Sequence, residues 1–468
     1  MALIGALLLL FTLFIRPQEF VPGLEKLGLL NIAVAMSFVG ILILFGTGKV
    51  KTAHSPQLPF LWAFVGWCVL CTLIKVGSGP VMDMKGSLGF STIFMFVIMY
   101  SGRTLTNFRG LAILLVFISI ALSAICIHQG SGEFQCILLD VEENGEASHD
   151  RANGSPDGRS CGEQDSHWCG DEKTPGTLRN REYECERAGL FGSFTVAHGR
   201  VRWRGTLADP NELSLAVGAA MSFCFALHAS MRSKIRHVIL AAVIGIVVYC
   251  VMLTGSRGGQ LVLLVIFGVY FVRRYGAKGL VAGALAGMPI LMLGGRSGED
   301  ADSSSLERIG ALYEGVGFFL RSPIFGLGAG QFVEEYFITA HNSYLLAAAE
   351  LGFPGMVLWS LLVYVSIKIP FMIGFKPPRE MDPRLPPFGL ALMVSFCGIL
   401  IGIFFLSFIY QNLLFVYFGM SGALFGVARQ GMPKYEIKIS GKEIGYVAGV
   451  DAAIMTWLFV YTRIKGQG

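Results

Sequence analysis

Charged residues are scarce in this chain. They make up 15% of its 468 residues, while hydrophobic residues make up 53%; a typical soluble domain has roughly 25% charged residues. Because a soluble protein could not keep that much apolar surface from water, the composition excludes a soluble enzyme or binding module and indicates a polytopic membrane protein. A large excess of one charge sign is also missing. The net charge of +5 argues against a nucleic-acid binder and suits basic loops near anionic lipid headgroups.

A nucleotide-binding loop is missing as well. The glycine-rich run at 326–330 is followed by no Lys-Ser/Thr pair, and no predicted strand precedes it. Both features are needed for a loop that cradles nucleotide phosphates. We therefore expect a flexible turn at 326–330.

Apolar runs separated by short polar breaks predict an all-α fold with about twelve transmembrane helices. A last apolar run, 445–462, contains Asp451 and predicts either an interfacial helix or a thirteenth span. The twelve runs are 2–15, 28–47, 58–75, 87–101, 110–127, 212–230, 238–254, 258–272, 279–295, 353–373, 387–406 and 410–428.

Two long polar segments divide the chain into regions. We expect N-terminal membrane helices at 1–127, an acidic cysteine-containing loop at 128–205, membrane helices with a Ser-Arg-Gly turn at 206–295, a polar segment with a His-Asn motif at 296–352, C-terminal membrane helices at 353–428, and a basic tail at 429–468.

Lysines and arginines in the short loops predict the orientation, because these residues concentrate on the cytoplasmic side. With the N-terminus in the cytoplasm, the inner short loops contain thirteen such residues and the outer short loops four. This assignment places both long polar segments outside. It places the 375–385 loop and the basic tail inside.

The loop 128–205 contains four of the ten cysteines, Cys136, Cys161, Cys169 and Cys185. Outside a cytoplasmic membrane these cysteines would be oxidised, and two disulfides would staple a loop that has little core of its own. A zinc site that uses His149 or His167 is the alternative, but no C-x-x-C pair within the loop supports it.

A polar block precedes the span at 212–230. Asp209 can cap the N-terminus of that helix, Pro210 suits its first position, and Glu212 completes a capping box. Capping does not explain Arg204, which lies just outside the membrane. Arg204 contacts lipid headgroups in one interpretation and binds a substrate in the other.

A short outer turn, residues 254–259, places Arg257 at the start of the next span. Its glycines allow a tight turn and a close backbone approach. Arg257 either snorkels to the headgroup region or presents a fixed guanidinium that grips phosphate oxygens bidentately.

The block His341-Asn342-Ser343-Tyr344-Leu345 is the sharpest candidate for chemistry. A histidine at the outer membrane surface can be neutral near pH 7 and accept a proton. On a helix, His341 and Leu345 would share a face and Glu350 would lie half a turn away, so we do not expect Glu350 to partner the histidine. The alternative is an interfacial histidine beside an aromatic-belt tyrosine.

Three of these blocks together resemble the O-antigen ligase and polymerase superfamily of bacterial inner membranes. They are the Arg-Gly-x-x-x-Asp-Pro-Asn block at 204–211, Ser256-Arg257-Gly258, and the stretch from Pro323 through the histidine block to Gly355. The detailed likeness covers roughly 204–355, and the span layout extends it to most of the chain. Arg16-Pro17-Gln18-Glu19 also resembles the branch found beside exosortase systems.

The resemblance implies a metal-independent glycosyltransferase without a cofactor, which acts on the periplasmic face of the inner membrane. Its donor would be an undecaprenyl-diphosphate-linked glycan, and its acceptor a glycan, lipid A-core or a protein hydroxyl. His341 would be the base and Arg257 would hold the diphosphate. The further substrate-binding candidates are Arg204, Arg308, Arg321, Asn342 and Tyr344, and Arg296 competes with Arg308 and Arg321 for the arginine that precedes the histidine block.

The chain departs from the family pattern in one respect. Its largest outer loop comes early, at 128–205, whereas the family usually carries it late, around the histidine. The choice between ligase and polymerase therefore stays open. A flippase or transporter of lipid-linked glycans is a more distant alternative. Transporters typically carry ionisable residues deep in their spans, whereas the unusual residues here cluster on one face.

Overall fold

The structure is a computed structural model and describes residues 1–48, 54–139, 154–162, 166–171, 174–178, 181–197, 199–279, 281 and 299–465. These residues are predominantly helical. Eleven of the described helices are long and apolar enough to cross a membrane. The predicted fold class, an all-α polytopic membrane protein, is therefore confirmed.

The helices are numbered here in chain order. They are α1 (Ala2–Phe14), α2 (Leu29–Gly46), α3 (Leu58–Lys75), α4 (Ser78–Asp83), α5 (Phe90–Ser101), α6 (Leu105–Gly130), α7 (Ser166–Gly170), α8 (Pro210–Met221), α9 (Phe223–Ser230), α10 (Ile235–Leu253), α11 (Arg257–Tyr275), α12 (Glu299–Arg321), α13 (Phe332–Glu335), α14 (Ser343–Phe375), α15 (Leu385–Gly402), α16 (Asn412–Gly431) and α17 (Gly441–Lys465).

Ten of the eleven candidate spans coincide with ten of the twelve predicted apolar runs. The eleventh, Gly441–Ile464, contains the last predicted run, 445–462, and extends beyond it at both ends. Its length and composition favour a span over an interfacial helix. The first helix, α1, has only 13 residues. The run predicted at 279–295 lies outside the described residues, apart from residues 279 and 281.

The chain forms two compact units. The first, called the histidine unit, contains Met1–Ala6, Ala33–Leu111 and Ser297–Gly468, and the second, called the arginine unit, contains Leu7–Ile32 and Ala112–Arg296. In the histidine unit α14 contacts α3, α12, α15, α16 and α17. In the arginine unit α8 packs against α10 and α11.

Small residues bring the helices of the histidine unit close together. Gly419 of α16 faces α5, where a Cβ added to it would lie 2.8 Å from the carbonyl oxygen of Met95. Gly422, one turn further along, is packed equally closely against the side chain of Met99. Close backbone approach of this kind supplies the dispersion contacts that hold helices together in lipid.

The long polar loop of the arginine unit forms a small antiparallel sheet. Its strands are β1 (Phe134–Leu139), β2 (Gly154–Ser160) and β3 (Tyr183–Arg187), in the order β2-β1-β3. Disulfides join Cys136 to Cys169 and Cys161 to Cys185. The four cysteines pack with Tyr183 in a buried cluster, and such a small core needs covalent staples to be stable.

Candidate active site

His341 lies immediately before a helix and not within one. Helix α14 begins at Ser343, and His341 has a φ of 49°. The expectation that His341 and Leu345 share a helical face is therefore wrong. A residue with a side chain adopts this left-handed conformation infrequently, and such strained positions cluster at functional sites, where the surrounding structure must hold them.

Asn342 fixes the start of α14 on two sides. Its Oδ1 accepts a hydrogen bond of 2.9 Å from the N–H of Leu345, which makes it the N-cap of the helix. Its Nδ2 donates to the carbonyl oxygen of Phe404 at 3.1 Å. Because both ends of this buried amide have partners within the protein, the geometry favours a role in positioning His341 over direct contact with a substrate.

Ser343 ties the same backbone to the loop between α15 and α16. Its Oγ donates to the carbonyl oxygen of Leu406 at 2.6 Å and accepts from the N–H of Phe408 at 2.8 Å. Its own N–H donates to the carbonyl oxygen of Ile403 at 2.9 Å. Residues 403–408 therefore hold the chain that carries His341.

Helix α14 is broken at Gly352, whose φ is 68°. The carbonyl oxygen of Glu350 at the break accepts a bond of 2.8 Å from the N–H of Gly328. A Cβ on Gly352 would lie 2.1 Å from the carbonyl oxygen of Ile324, so only glycine fits there. The glycine-rich run at 326–330 is therefore an anchored cap on a broken helix and not the flexible turn expected from the sequence.

The Glu350 carboxylate connects this cap to a neighbouring loop. It accepts hydrogen bonds from the N–H of Gly330 at 2.8 Å, the N–H of Phe332 at 3.0 Å and the hydroxyl of Tyr410 at 2.8 Å. Burial raises the pKa of Tyr410 well above its usual range, so the phenol keeps its proton and donates a hydrogen bond to Glu350. Sequence reasoning missed this role, although a lone charge within an apolar stretch was a visible signal.

A cavity of about 430 Å³ opens beside this cap in the histidine unit. Gly330, Glu334, Tyr410 and Asp83 are among its lining residues. Two carboxylates at one opening repel a diphosphate but accept hydrogen bonds from hydroxyl groups. The cavity therefore suits a sugar better than a phosphate.

Tyr344 belongs to an aromatic cluster. Its ring centroid lies 5.2 Å from that of Trp359 in an edge-to-face arrangement and 5.5 Å from that of Phe404. The side chain is half-buried. Packing accounts for the ring, so a substrate contact would have to use the hydroxyl group.

In the arginine unit the two polar blocks at 204–211 and 256–258 meet directly. Asp209 caps α8, and its Oδ1 accepts from the N–H of Asn211 at 2.7 Å. Asn211 Oδ1 in turn accepts from the hydroxyl of Ser256 at 2.6 Å. Ser256 caps α11, since its Oγ accepts from the N–H of Gly259 at 2.9 Å. The motifs thus form one hydrogen-bonded chain that fixes the starts of two helices.

Arg257 is the first residue of α11, and its side chain is exposed. A helix N-terminus carries positive partial charge, so the start of α11 and the guanidinium both favour an anion at this position. Arg200 Nε donates to the carbonyl oxygen of Thr254 at 2.8 Å and so holds the turn from behind. Arg257 and the start of α11 can together bind a phosphate. The contribution of Arg200 carried no recognisable sequence signal.

Arg204 is buried, with 5% of its surface exposed. Its guanidinium donates to the carbonyl oxygens of Phe191 and Glu19. These bonds tie the segment after the disulfide loop to the one after α1. They give Arg204 a structural role beside the substrate-binding role predicted for it.

The arginines predicted to precede the histidine block differ in environment. Arg308 is half-buried on α12. Arg321, the last residue of α12, is exposed and lies over the ring of Phe318, 4.8 Å from its centroid. Arg296 lies outside the described residues. Arg308 and Arg321 are thus the two candidates, among the described residues, for the arginine that precedes the histidine block.

The predicted site residues fall into both units. Arg308, Arg321, His341, Asn342 and Tyr344 belong to the histidine unit. Arg204 and Arg257 belong to the arginine unit. In the arginine unit a hydrogen bond joins the blocks at 204–211 and 256–258. In the histidine unit hydrogen bonds join the run at 326–330 to Glu350.

A metal site finds no support in the part of the chain that the structure describes. The one group with suitable spacing there is Cys136, Cys161 and Cys169, whose sulfur atoms lie within 4.8 Å of one another. All three are in disulfides and so have no thiolate to offer an ion. His149 and the side chain of His167 lie outside the described residues.

Comparison with known proteins finds a match for the segment that contains Arg257, Arg308, Arg321 and the histidine block. Residues 242–360 match the family model described as O-antigen ligase. No curated protein matches the chain. A chain from a solved peptidoglycan synthase complex, described as coordinating polymerization and crosslinking, aligns with this chain at a TM-score of 0.43 and 14% identity. The alignment covers 81% of this chain and 99% of the other. Residues 242–360 of this multi-pass membrane protein are therefore similar to the O-antigen ligase family.

Proposed function

We propose that this protein transfers a glycan from an undecaprenyl-diphosphate-linked donor to an acceptor hydroxyl on the periplasmic face of the inner membrane, as an O-antigen ligase does. Its partners are then the lipid-linked donor and a lipid A-core, protein or glycan acceptor. The observation that carries the proposal is the O-antigen ligase match at 242–360, which includes both the Arg257 turn and the strained His341.

His341 is the proposed general base. One ring nitrogen accepts the proton of the acceptor hydroxyl while the oxygen attacks the anomeric carbon of the donor. The bond between that carbon and the diphosphate oxygen breaks, and the diphosphate leaves with the electron pair. The anchored start of α14 supports this role, because a base must be held in place to act on a transient proton.

Arg257 is the proposed binding group for the diphosphate. Negative charge develops on the leaving oxygen as the bond breaks, and a fixed cation at that point lowers the barrier without needing a metal. The Asp209–Asn211–Ser256 chain supports the role because it fixes the helix start that carries Arg257. Arg308 and Arg321 are further candidates for the donor, and the hydroxyl of Tyr344 is one for the acceptor.

Purified full-length protein in vesicles, supplied with an undecaprenyl-diphosphate-linked glycan and an acceptor, tests the proposal. We expect Arg257→Ala to lower the transfer rate by roughly 10²–10³-fold, as removal of one charge-stabilising donor does. Arg257→Lys should recover only part of that loss. Lysine keeps the positive charge, but its ammonium cannot bind a diphosphate bidentately. Arg274→Ala, at the other end of the same helix, is the matched control.

The products separate the alternatives. Transfer of one finished glycan to a different acceptor identifies a ligase, and growth of the glycan in repeat units identifies a polymerase. Movement of intact donor across the vesicle membrane without release of undecaprenyl diphosphate would identify a flippase and contradict the proposal. A wild-type transfer rate in the Arg257→Ala protein would contradict the role proposed for Arg257.

A further inference from the structure

A second cavity in the histidine unit lies against the C-terminal helix α17. Its volume is about 360 Å³, within the range of roughly 300–1,000 Å³ that is usual for small-molecule sites. Val363 and Ile367 of α14, Leu400 of α15 and Val447 of α17 supply much of its apolar lining. None of these residues belongs to the proposed transfer chemistry.

One polar group in this cavity lacks a partner. Asp451 of α17 is 1% exposed, and its Oδ1 accepts a hydrogen bond of 2.8 Å from the hydroxyl of Ser360. Among the described residues, Oδ2 of the same carboxyl group is buried and has no hydrogen-bond partner. A buried oxygen left without a hydrogen-bond partner is unfavourable, so a group from outside the described residues is expected to pair with it.

The other carboxyl group of the cavity is already satisfied. Glu443 Oε1 accepts from the hydroxyl of Tyr364 at 2.6 Å and from the ammonium of Lys368. Its Oε2 accepts from the N–H of Ser440 at 2.8 Å. Among the described residues that line the cavity, the buried polar atom without a hydrogen-bond partner is therefore Oδ2 of Asp451, near the middle of α17.

The lining defines the chemistry of an occupant. Two carboxyl groups disfavour a phosphate, and apolar walls disfavour a sugar or a cluster of water molecules, since a buried water needs two to four polar partners. A hydroxyl or amide group can pair with Asp451 whether the carboxyl group is ionised or protonated, because it both donates and accepts. Val450 and Tyr446, beside the cavity on α17, are exposed, so the opening faces lipid.

We propose that this cavity binds a membrane lipid whose hydrocarbon chain carries a hydroxyl or amide group, which pairs with Oδ2 of Asp451 while the chain packs against α14, α15 and α17. Tyr344, from the histidine block, also lines the cavity. An occupant would therefore contact the helix that His341 precedes. The binding itself does not depend on the proposed transfer reaction.

Photolabelling of the full-length protein in phosphatidylethanolamine and phosphatidylglycerol vesicles tests this inference. The two probes are phosphatidylethanolamines with a diazirine in one acyl chain, one with and one without a mid-chain hydroxyl group. Mass spectrometry of the peptides locates the label. We expect the hydroxylated probe to label the cavity residues of α14 and α17 roughly two- to tenfold more, the gain from one net hydrogen bond.

Variants assign that difference to Asp451. Asp451→Leu should abolish it, Asp451→Asn should retain part of it because an amide still forms hydrogen bonds, and Thr456→Val, exposed on the same helix, should leave it unchanged. Equal labelling by both probes in the wild-type protein would overturn the proposal even if a variant failed to accumulate. A preference that persists in Asp451→Leu, or crosslinks to a second copy of the chain in place of the probe, would also overturn it.

Discussion

The hydroxyl of Ser256 donates a 2.6 Å hydrogen bond to Oδ1 of Asn211, across 45 positions of sequence. This bond joins two short blocks that are weak signals when taken separately. It also sets the position of Arg257, because Ser256 caps the helix that begins at Arg257. The turn that presents the guanidinium is thus built by residues that need not touch a substrate.

Ser256→Ala should weaken donor binding without removing Arg257. Loss of an N-cap costs about 0.5–2 kcal/mol, and the start of α11 should become less well fixed. We expect a raised KM for the lipid-linked donor with a smaller change in kcat, measured by transfer assays on purified protein. Ser230→Ala, on an exposed site of the same unit, is the control. An unchanged KM in Ser256→Ala would show that the cap does not position Arg257.

Glu350→Ala should destabilise the histidine unit, because three donors lose their acceptor. Each buried group left without a partner costs about 1–3 kcal/mol. We expect a clearly lower apparent Tm in detergent, followed by the loss of the monodisperse peak on size-exclusion chromatography. Glu335→Ala, on an exposed acidic residue nearby, should behave as wild type. If Glu350→Ala is as stable as wild type, the carboxylate does not hold the cap.

The disulfides of the polar loop should carry much of its stability. The double variant Cys161→Ser, Cys185→Ser should lose about 2–4 kcal/mol of local stability and be cut faster within 128–205 by limited proteolysis. Cys397→Ser, a cysteine outside the disulfides, should not change the cutting rate. Alkylation of unreduced wild-type protein should leave all four loop cysteines unmodified, and free thiols there would contradict the pairing.

The proposed orientation can be tested by labelling from either side. Glu335→Cys, in the second polar segment, should react with a membrane-impermeant maleimide on intact spheroplasts. Arg379→Cys, in the loop between α14 and α15, should react only after permeabilisation, because basic loops concentrate in the cytoplasm. Reaction of Arg379→Cys from the outside would show that the orientation is the reverse of the proposed one and that the site does not face the periplasm.

The sequence allowed much of the fold to be predicted, because lipid requires long apolar runs and the runs are visible. It also located Asp209 at a helix start through local capping chemistry, whereas the cap that Ser256 provides was not predicted. It could not predict that Gly326 and Gly352 pack at a helix break, since that depends on contacts between separate segments. The φ of His341 was likewise hidden, because the adjacent Asn342 and Ser343 are held by residues 403–408, which are distant in sequence.

The most direct measurement is the glycan transfer rate of His341→Gln, in vesicles with an undecaprenyl-diphosphate-linked donor. Glutamine keeps hydrogen-bonding capacity but cannot take up a proton, so we expect the transfer rate to fall roughly 10²–10⁴-fold, with normal accumulation of the protein and normal donor binding. A transfer rate close to that of the wild-type protein would show that His341 is not the base.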